Sequence, residues 1–332
     1  MTEVAMPGPT RSGCAMAVVG LVAWASAVDP LRAQPAAAWP AKPVTVVIPY
    51  APGGTTDIQA RLVAAGLSSR LGQSFVPRNM PGATGAIATE FVTRANADGY
   101  TLLFASSAQT TSVPMTDKVG YRVEDLAPVS VFGRGAMVLA IHAQVPARGL
   151  REFIDYARST KGRLNYASPG EGSVGHLVAA LFLARAGIEM VHVPYKGGGP
   201  AMADLIGGQV PMLFGNSGEV MTQAKNERIR ILAVSTAQRL RSAPNIPTVA
   251  EVLPGFEMTA WQGMMAPVRT PRAIVDALST AIQAIAREPA IVERLEQLGI
   301  EPMGTTPEQM ATIIRAENPV YAEAIRAAGL AR

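Results

Sequence analysis

Apolar and polar positions in this chain fall into blocks that repeat in one order: a short β-branched run, a glycine-rich turn, then apolar residues at helical spacing. The first block, Val44–Ile48, predicts a strand that stops at Pro49. Pro52, Gly53 and Gly54 turn the chain tightly, and residues 57–70 read as a helix with Ile58, Leu62 and Ala65 on its apolar face. Phe75-Val76 predicts a second strand, residues 79–85 a second glycine turn, and the following helix carries Ile87, Phe91 and Val92. Residues 100–104 predict a third strand, which ends in Ala105-Ser106-Ser107. Three such units with short connections predict an α/β parallel sheet with helices on both faces. Ligands in such sheets bind beyond the carboxyl ends of the strands, where all three loops lie.

Residues 129–132 and 137–141 form two extended apolar stretches separated by Gly133-Arg134-Gly135. The unit then recurs: helix Leu150–Ser159, strand 164–167, loop 168–173, helix Val174–Ala186, strand 190–194, loop 195–200 and helix 201–206, with Pro200 in its first turn. Residues 210–214 and Ile229–Val234 add strands. Beyond Trp261 the pattern is helical over 271–298 and 307–330, with Thr270-Pro271 and Thr306-Pro307 as start signals. The recurrence predicts two similar domains. A helical tail of this length is expected to pack back on the first, so that the chain crosses near residues 132–141 and 256–266. Repeated crossings make a hinge, and a hinge suits a two-lobed clamp.

Composition removes several functions. The 332 residues are 48% hydrophobic and 16% charged, which describes a globular protein large enough for two cores. A net charge of +4 with scattered basic residues gives nucleic acid no footprint. Residues 14–25 are apolar but too short to span a bilayer, and Ala25-Ser26-Ala27 fits a small-x-small cleavage pattern, with an alternative near Ala33. Residues 1–33 are therefore expected to be a signal peptide and leader of an exported protein. The one cysteine, Cys14, falls inside it, so the mature chain would have no thiol chemistry.

No catalytic set is legible. The Ser173 segment fails the nucleophile-elbow pattern because Glu171 stands two before it, and His176 is one turn away on the same helix. His142, His176 and His192 are widely spaced along the chain and suggest no metal site. What remains is a set of Gly/Ser/Thr loops, each preceding a helix, which suits capture of an anion by backbone amides and hydroxyls.

The segments Pro49-Tyr50-Ala51-Pro52-Gly53-Gly54-Thr55-Thr56-Asp57, Pro81-Gly82-Ala83-Thr84-Gly85 and Ser168-Pro169-Gly170-Glu171-Gly172-Ser173 carry a family resemblance. So do Val193-Pro194-Tyr195-Lys196-Gly197, Asp204-Leu205-Ile206-Gly207-Gly208-Gln209, Pro247-Thr248-Val249-Ala250-Glu251 and Trp261-Gln262-Gly263. In this order the chain from Trp39 onward resembles the substrate receptors of tripartite tricarboxylate transporters, the Bug-type periplasmic binding proteins. The resemblance implies a two-lobed Venus-flytrap of type II-like topology, closing on a small carboxylated metabolite. It implies a first lobe of residues 34–135 plus 262–332, including the C-terminal helices, and a second of residues 136–261. Carried over by motif, the ligand-binding residues are Tyr50, Gly53, Gly54, Asp57, Thr84, Ser168, Gly172, Ser173 and Asp204. Thr55, Ala83, Ser106, Ser107 and Trp261, in the same loops and motifs, complete the set. Thr84 departs from the family pattern, standing where a second glycine is common, and so does Val113-Pro114-Met115, which replaces a polar segment. A periplasmic monomer without cofactor or metal is expected, delivering its ligand to membrane transporter subunits. Two alternatives use the same cleft: a secreted hydrolase or isomerase, and a ligand sensor for a membrane kinase.

Overall fold

In a computed structural model, residues 39–116 and 119–331 are described. The expected leader lies outside the described residues. The apolar runs that meet glycine loops form strands as read. β1 is Val44–Ile48, α1 Thr55–Leu71, β2 Phe75–Asn79, α2 Ala86–Thr93 and β3 Thr101–Ser106. β1 lies between β2 and β3, parallel to both, as successive βα units require. A short α3, Ser112–Thr116, leads to β4, Leu126–His142.

β4 corrects the reading of two separate stretches, because it runs unbroken through Gly133 and Gly135. The glycines make room there. A β-carbon at Gly133 would come within 2.7 Å of Gln59 Oε1 and of Ile300 Cγ2. They mark a close approach inside a strand and not a separator.

α4 (Leu150–Ser159), β5 (Asn165–Ser168), α5 (Val174–Ala186), β6 (Val191–Pro194) and α6 (Gly198–Gly207) follow. Next come β7 (Met212–Asn216), α7 (Ser217–Val220), β8 (Ile229–Val234) and β9 (Thr259–Pro267). The chain closes with α8 (Arg272–Ala286), α9 (Pro289–Gln297), β10 (Ile300–Pro302) and α10 (Pro307–Ala327). The strand order is β2-β1-β3-β9-β4-β7-β5-β6, with β10 and β8 also on β4. Residues 126–136 of β4 pair with β9, while its remainder pairs with β7 and β8. One strand thus serves both lobes.

Each lobe is a sheet between two layers. Val46 and Ile48 face α1 and α8, and Val47 faces α2 and the start of α10. Past the partner change, Met137, Leu139 and Ile141 face the core with α5, while Val138 and Ala140 face the core with α6, the period of two that a covered strand shows. The tail packs on the first lobe through α8, which lies on α1 and β4. α10 goes further. Its start buries Met310 and Ile314 in the first lobe, and beyond Pro319 it buries Tyr321, Ala324 and Ile325 with α5.

Other details differ from the pattern reading. α1 buries Ala60, Val63, Ala64 and Leu67, leaving Ile58 and Leu62 partly covered and Ala65 exposed. Small residues win because α1 lies close on α8; a β-carbon at Gly66 would meet Ile285 at 2.7 Å. On α2, Ile87 and Phe91 are 52% and 41% exposed, and Arg78 covers the Phe91 ring instead. Thr270 does not cap α8, since its hydroxyl donates to the Pro267 carbonyl. Thr306 does cap α10, in a capping box with Gln309. β9 and β10 lie where no strand was read.

Candidate functional site

The loop between β1 and α1 needs its first glycine for conformation. Gly53 has φ +90, and a β-carbon there would meet nothing within 4 Å, so the space beside it is open. Gly54 has ordinary φ −79 and is the N-cap of α1, with no side-chain cap. The first amides of α1 therefore carry helix-terminal partial charge without a side-chain acceptor. Asp57 holds the loop from below. Its Oδ2 accepts from the Gly53 amide at 3.0 Å and Arg61 Nε at 2.9 Å, and its Oδ1 accepts from Asn79 Nδ2 at 2.8 Å. Burial acts to raise its pKa, but these three donors outweigh it and hold it below the usual value. Asp57, read as a ligand contact, has its carboxylate engaged by these three donors, one of them the Gly53 amide.

Gln109 gathers three of the expected residues, and it was not among them. Its Oε1 accepts from the Ser106 amide at 2.8 Å and hydroxyl at 3.0 Å. Its Nε2 donates to Tyr50 Oη at 3.0 Å and the Thr84 carbonyl at 2.8 Å. Tyr50 Oη and Ser106 Oγ lie 2.9 Å apart. Burial pushes the Tyr50 phenol up, so it stays protonated and able to donate. Ala83 and Thr84 both have positive φ, 46 and 49. That backbone explains why glycine suits position 84, and Thr84 holds it at a strain of about 1–3 kcal/mol. The Ser106–Gln109 spacing is a capping box, and that signal was available to sequence reading.

In the second lobe, Ser173 caps α5 by accepting from the His176 amide. Its hydroxyl donates to the Gly170 carbonyl at 2.7 Å. Gly172, at φ +69, donates its amide to His176 Nδ1 at 3.1 Å. Ser168 Oγ lies 2.7 Å from His192 Nε2 and accepts from the Gly170 amide at 3.2 Å. The fold brings together two histidines that the chain separates: their rings stack at 3.7 Å, with Tyr166 stacked on His192 at 5.1 Å. Burial, then repulsion from His192, pushes His176 down to about 3; burial also lowers His192. Farther along, Tyr195 Oη donates to Asp204 Oδ2 at 2.6 Å, which occupies Asp204. That bond, with burial secondary, pushes the Tyr195 phenol up to about 12.

The two loop sets meet. Thr84 Oγ1 donates to the Glu171 carbonyl at 3.3 Å. The Glu219 carboxyl stands between Gly54 and Gly198: a β-carbon on Gly54 would lie 3.8 Å from its Oε1, and one on Gly198 would overlap its Oε2. α6 starts at Gly198 with Gly197 as N-cap, again without a side-chain cap. Two residues expected at the cleft turn inward instead. Ser107 Oγ lies 2.8 Å from Tyr321 Oη, and Trp261 Nε1 donates to Glu317 Oε2 at 2.9 Å, both residues fully buried. No group of three or more His, Cys, Asp or Glu among the described residues is placed to hold a metal. No helix among them is long and apolar enough to cross a membrane. A groove of about 560 Å³ lined by Arg134, Arg239, Arg241 and Glu301 includes none of these loop residues.

Comparison with known proteins places this geometry. Residues 59–330 match the model of the tripartite tricarboxylate transporter family receptor. Protein BugT of Bordetella pertussis is 34% identical over 319 residues, covering 95% of this chain and 97% of its own. Among solved structures, R. palustris Rpa4515 with adipate is similar at a TM-score of 0.84 and 36% identity, covering 88% of this chain and 99% of that one. MatC from Rhodopseudomonas palustris with bound malate is similar at 0.76 and 32%, with the same coverage. The fold is that of the two-lobed periplasmic solute-binding proteins, and the chain belongs to the tripartite tricarboxylate transporter receptor family.

Proposed function

We propose that this chain is a periplasmic receptor that closes its two lobes on a small carboxylate and delivers it to a membrane transporter of the tripartite tricarboxylate type. One observation carries the reading: the loop side chains are bonded to one another, while α1 and α6 start at the cleft with uncapped amides. Amides and helix-terminal charge recognise a carboxylate without a basic side chain. Gly53, Gly54, Thr55, Ala83 and Thr84 then present the first-lobe surface, with Tyr50 and Ser106 setting its shape. Ser168, Gly172 and Ser173 set the second. Asp57, Ser107, Asp204 and Trp261 support these loops from behind.

The lobe boundary on β4 lies between Ala136 and Met137, where its partners change. The return crossing is at Thr259, the first residue of β9, three residues before the one read from sequence. The receptor acts as a monomer after residues 1–33 are removed.

A hydrolase reading rests on one contact, the Ser168–His192 hydrogen bond. Ser168 is fully buried and its oxygen already accepts the Gly170 amide, so the hydroxyl is a loop strut. Thermal-shift screening of C4–C6 mono- and dicarboxylates, with an ester panel for turnover, separates the two. A ligand at a hundred times its Kd should stabilise the protein by about 2.7 kcal/mol without turnover. Ester cleavage lost on Ser168→Ala, with no carboxylate binding, would reverse the assignment.

A further inference from the structure

Two features of Thr84 oppose each other. Its backbone sits at φ +49, where a β-branched residue is strained and glycine is not. Its side chain nonetheless reaches the second lobe, where Oγ1 donates to the Glu171 carbonyl at 3.3 Å. Among the described residues this is the one hydrogen bond that joins the glycine loops of the two lobes. Thr116, the other first-lobe hydroxyl near this peptide, is already engaged. Its oxygen would lie 3.7 Å from a β-carbon on Gly172, but the hydroxyl donates to the Ser112 carbonyl at 2.8 Å.

Each end of the Thr84–Glu171 bond is fixed within its own lobe. Gln109 Nε2 holds the Thr84 carbonyl at 2.8 Å, and the Gly85 amide closes the same turn on the Gly82 carbonyl at 2.8 Å. Across the cleft, Glu171 lies between two anchored glycines. The Gly170 carbonyl takes the Ser173 hydroxyl, and the Gly172 amide donates to His176 Nδ1. A donor and an acceptor fixed on separate bodies bond at one separation of those bodies, and water replaces the bond when they part.

We propose that Thr84 is an interlobe latch: its hydroxyl bonds the Glu171 carbonyl when the lobes are together and biases the chain toward closure. Its use in retaining a ligand rests on the receptor reading above; the contact itself does not. The backbone strain is present whether the lobes are open or closed, so only the hydroxyl distinguishes the two states. One exposed hydrogen bond between neutral groups supports a bias of about two- to tenfold, enough to slow opening without locking the cleft.

The test is a pulsed-EPR measurement of the interlobe distance in the chain from residue 34 onward, which has no cysteine. Spin labels go on Ser69→Cys of α1 and Ser159→Cys of α4, both exposed and one in each lobe. Thr84→Val keeps the branched shape without the hydroxyl, Thr84→Gly removes hydroxyl and strain together, and Thr84→Ser keeps the hydroxyl. In ligand-free protein the ratio of closed to open chains should fall about two- to tenfold in Thr84→Val and Thr84→Gly. It should stay close to the parent ratio in Thr84→Ser. A parent-like ratio in Thr84→Val, or one in Thr84→Ser as low as in Thr84→Val, overturns the latch. So does a parent distance with no closed component. Adipate and succinate are then added as probes. Closure by either, with ratios that ignore position 84, overturns the latch and leaves the receptor reading standing. Closure by neither, with ratios that follow the hydroxyl, supports the latch and counts against the receptor reading.

Discussion

The first-lobe loops are held by bonds that reach far along the chain, whereas the second-lobe loop is held mostly by its neighbours. Tyr50 meets Ser106 and Gln109 across 56 and 59 positions, and Asp57 meets Asn79 across 22. In the second lobe, the side chains of Ser168, Ser173 and His176 bond to Gly170 and Gly172 within four positions, and the longer reaches come from His192, the 195–197 backbone and Thr84. The first cluster therefore requires its whole sheet in register before the loops take shape. The second is a local motif with an imidazole pair as its brace. Both spend their side chains inward, on bonds to one another and to the loop backbone.

Breaking the long-range hub should have the largest effect. Gln109→Leu removes the acceptor of the Ser106 amide, takes the amide donor from Tyr50 Oη, which keeps only Ser106 Oγ, and frees residues 83–84, which sit at positive φ. A loss of about 3–4 kcal/mol in chemical denaturation is expected, with carboxylate binding weakened beyond that. Parent-like stability would show that the first-lobe loops stand without their hub.

Acid should act first through the second lobe. The folded pKa of His176 lies near 3, below the unfolded value of about 6.5, so the unfolded state binds more protons between them. Its contribution is fully present above about pH 6.5 and declines as pH falls toward 3, reaching a loss of about 3 kcal/mol by pH 4. His176→Gln, which can still accept the Gly172 amide, should flatten the melting profile over that window. An unchanged slope would mean that another group controls it.

Asp57→Asn should be smaller. The amide keeps the shape but puts a donor among three donors, for a cost of about 1–2 kcal/mol. The wild-type carboxylate has a lowered folded pKa, so its contribution is present above about pH 4 and is lost as pH falls through that folded value. The effect should appear in melting temperature and only secondarily in affinity. A large affinity change at constant stability would return Asp57 to direct ligand contact.

The local elements were legible and the long-range ones were not. Val44–Ile48, Leu150–Ser159, Val174–Ala186 and Ile229–Val234 form as their apolar patterns read. β9 escaped because all nine of its residues are buried, including Gln262, so no alternation marks it. Gly133 and Gly135 hid the continuity of β4, since their role depends on Gln59 and Ile300, distant in sequence. The loop motifs located the candidate site, but a motif cannot say which side chains face each other. The spacing of Gln109 was readable as a capping box but its bonds to Tyr50 and Thr84 were not, the His176–His192 stack and Glu219 needed the fold to bring them in, and Ser107 and Trp261 needed it to turn them away.

The central claim is that a carboxylate approaches the backbone at Gly54. Gly54→Val tests it most directly, because φ there is −79 and a β-carbon would meet only Glu219 Oε1, at an ordinary 3.8 Å. The substitution fills the cleft without straining the chain, so the melting temperature should stay within a few degrees of the parent. Titration calorimetry with the best carboxylate from the screen should then show affinity reduced by about 100-fold or more, since two hydrogen bonds to a charged group are worth about 3–6 kcal/mol. A folded Gly54→Val that binds as the parent does would place the anion elsewhere and contradict the account.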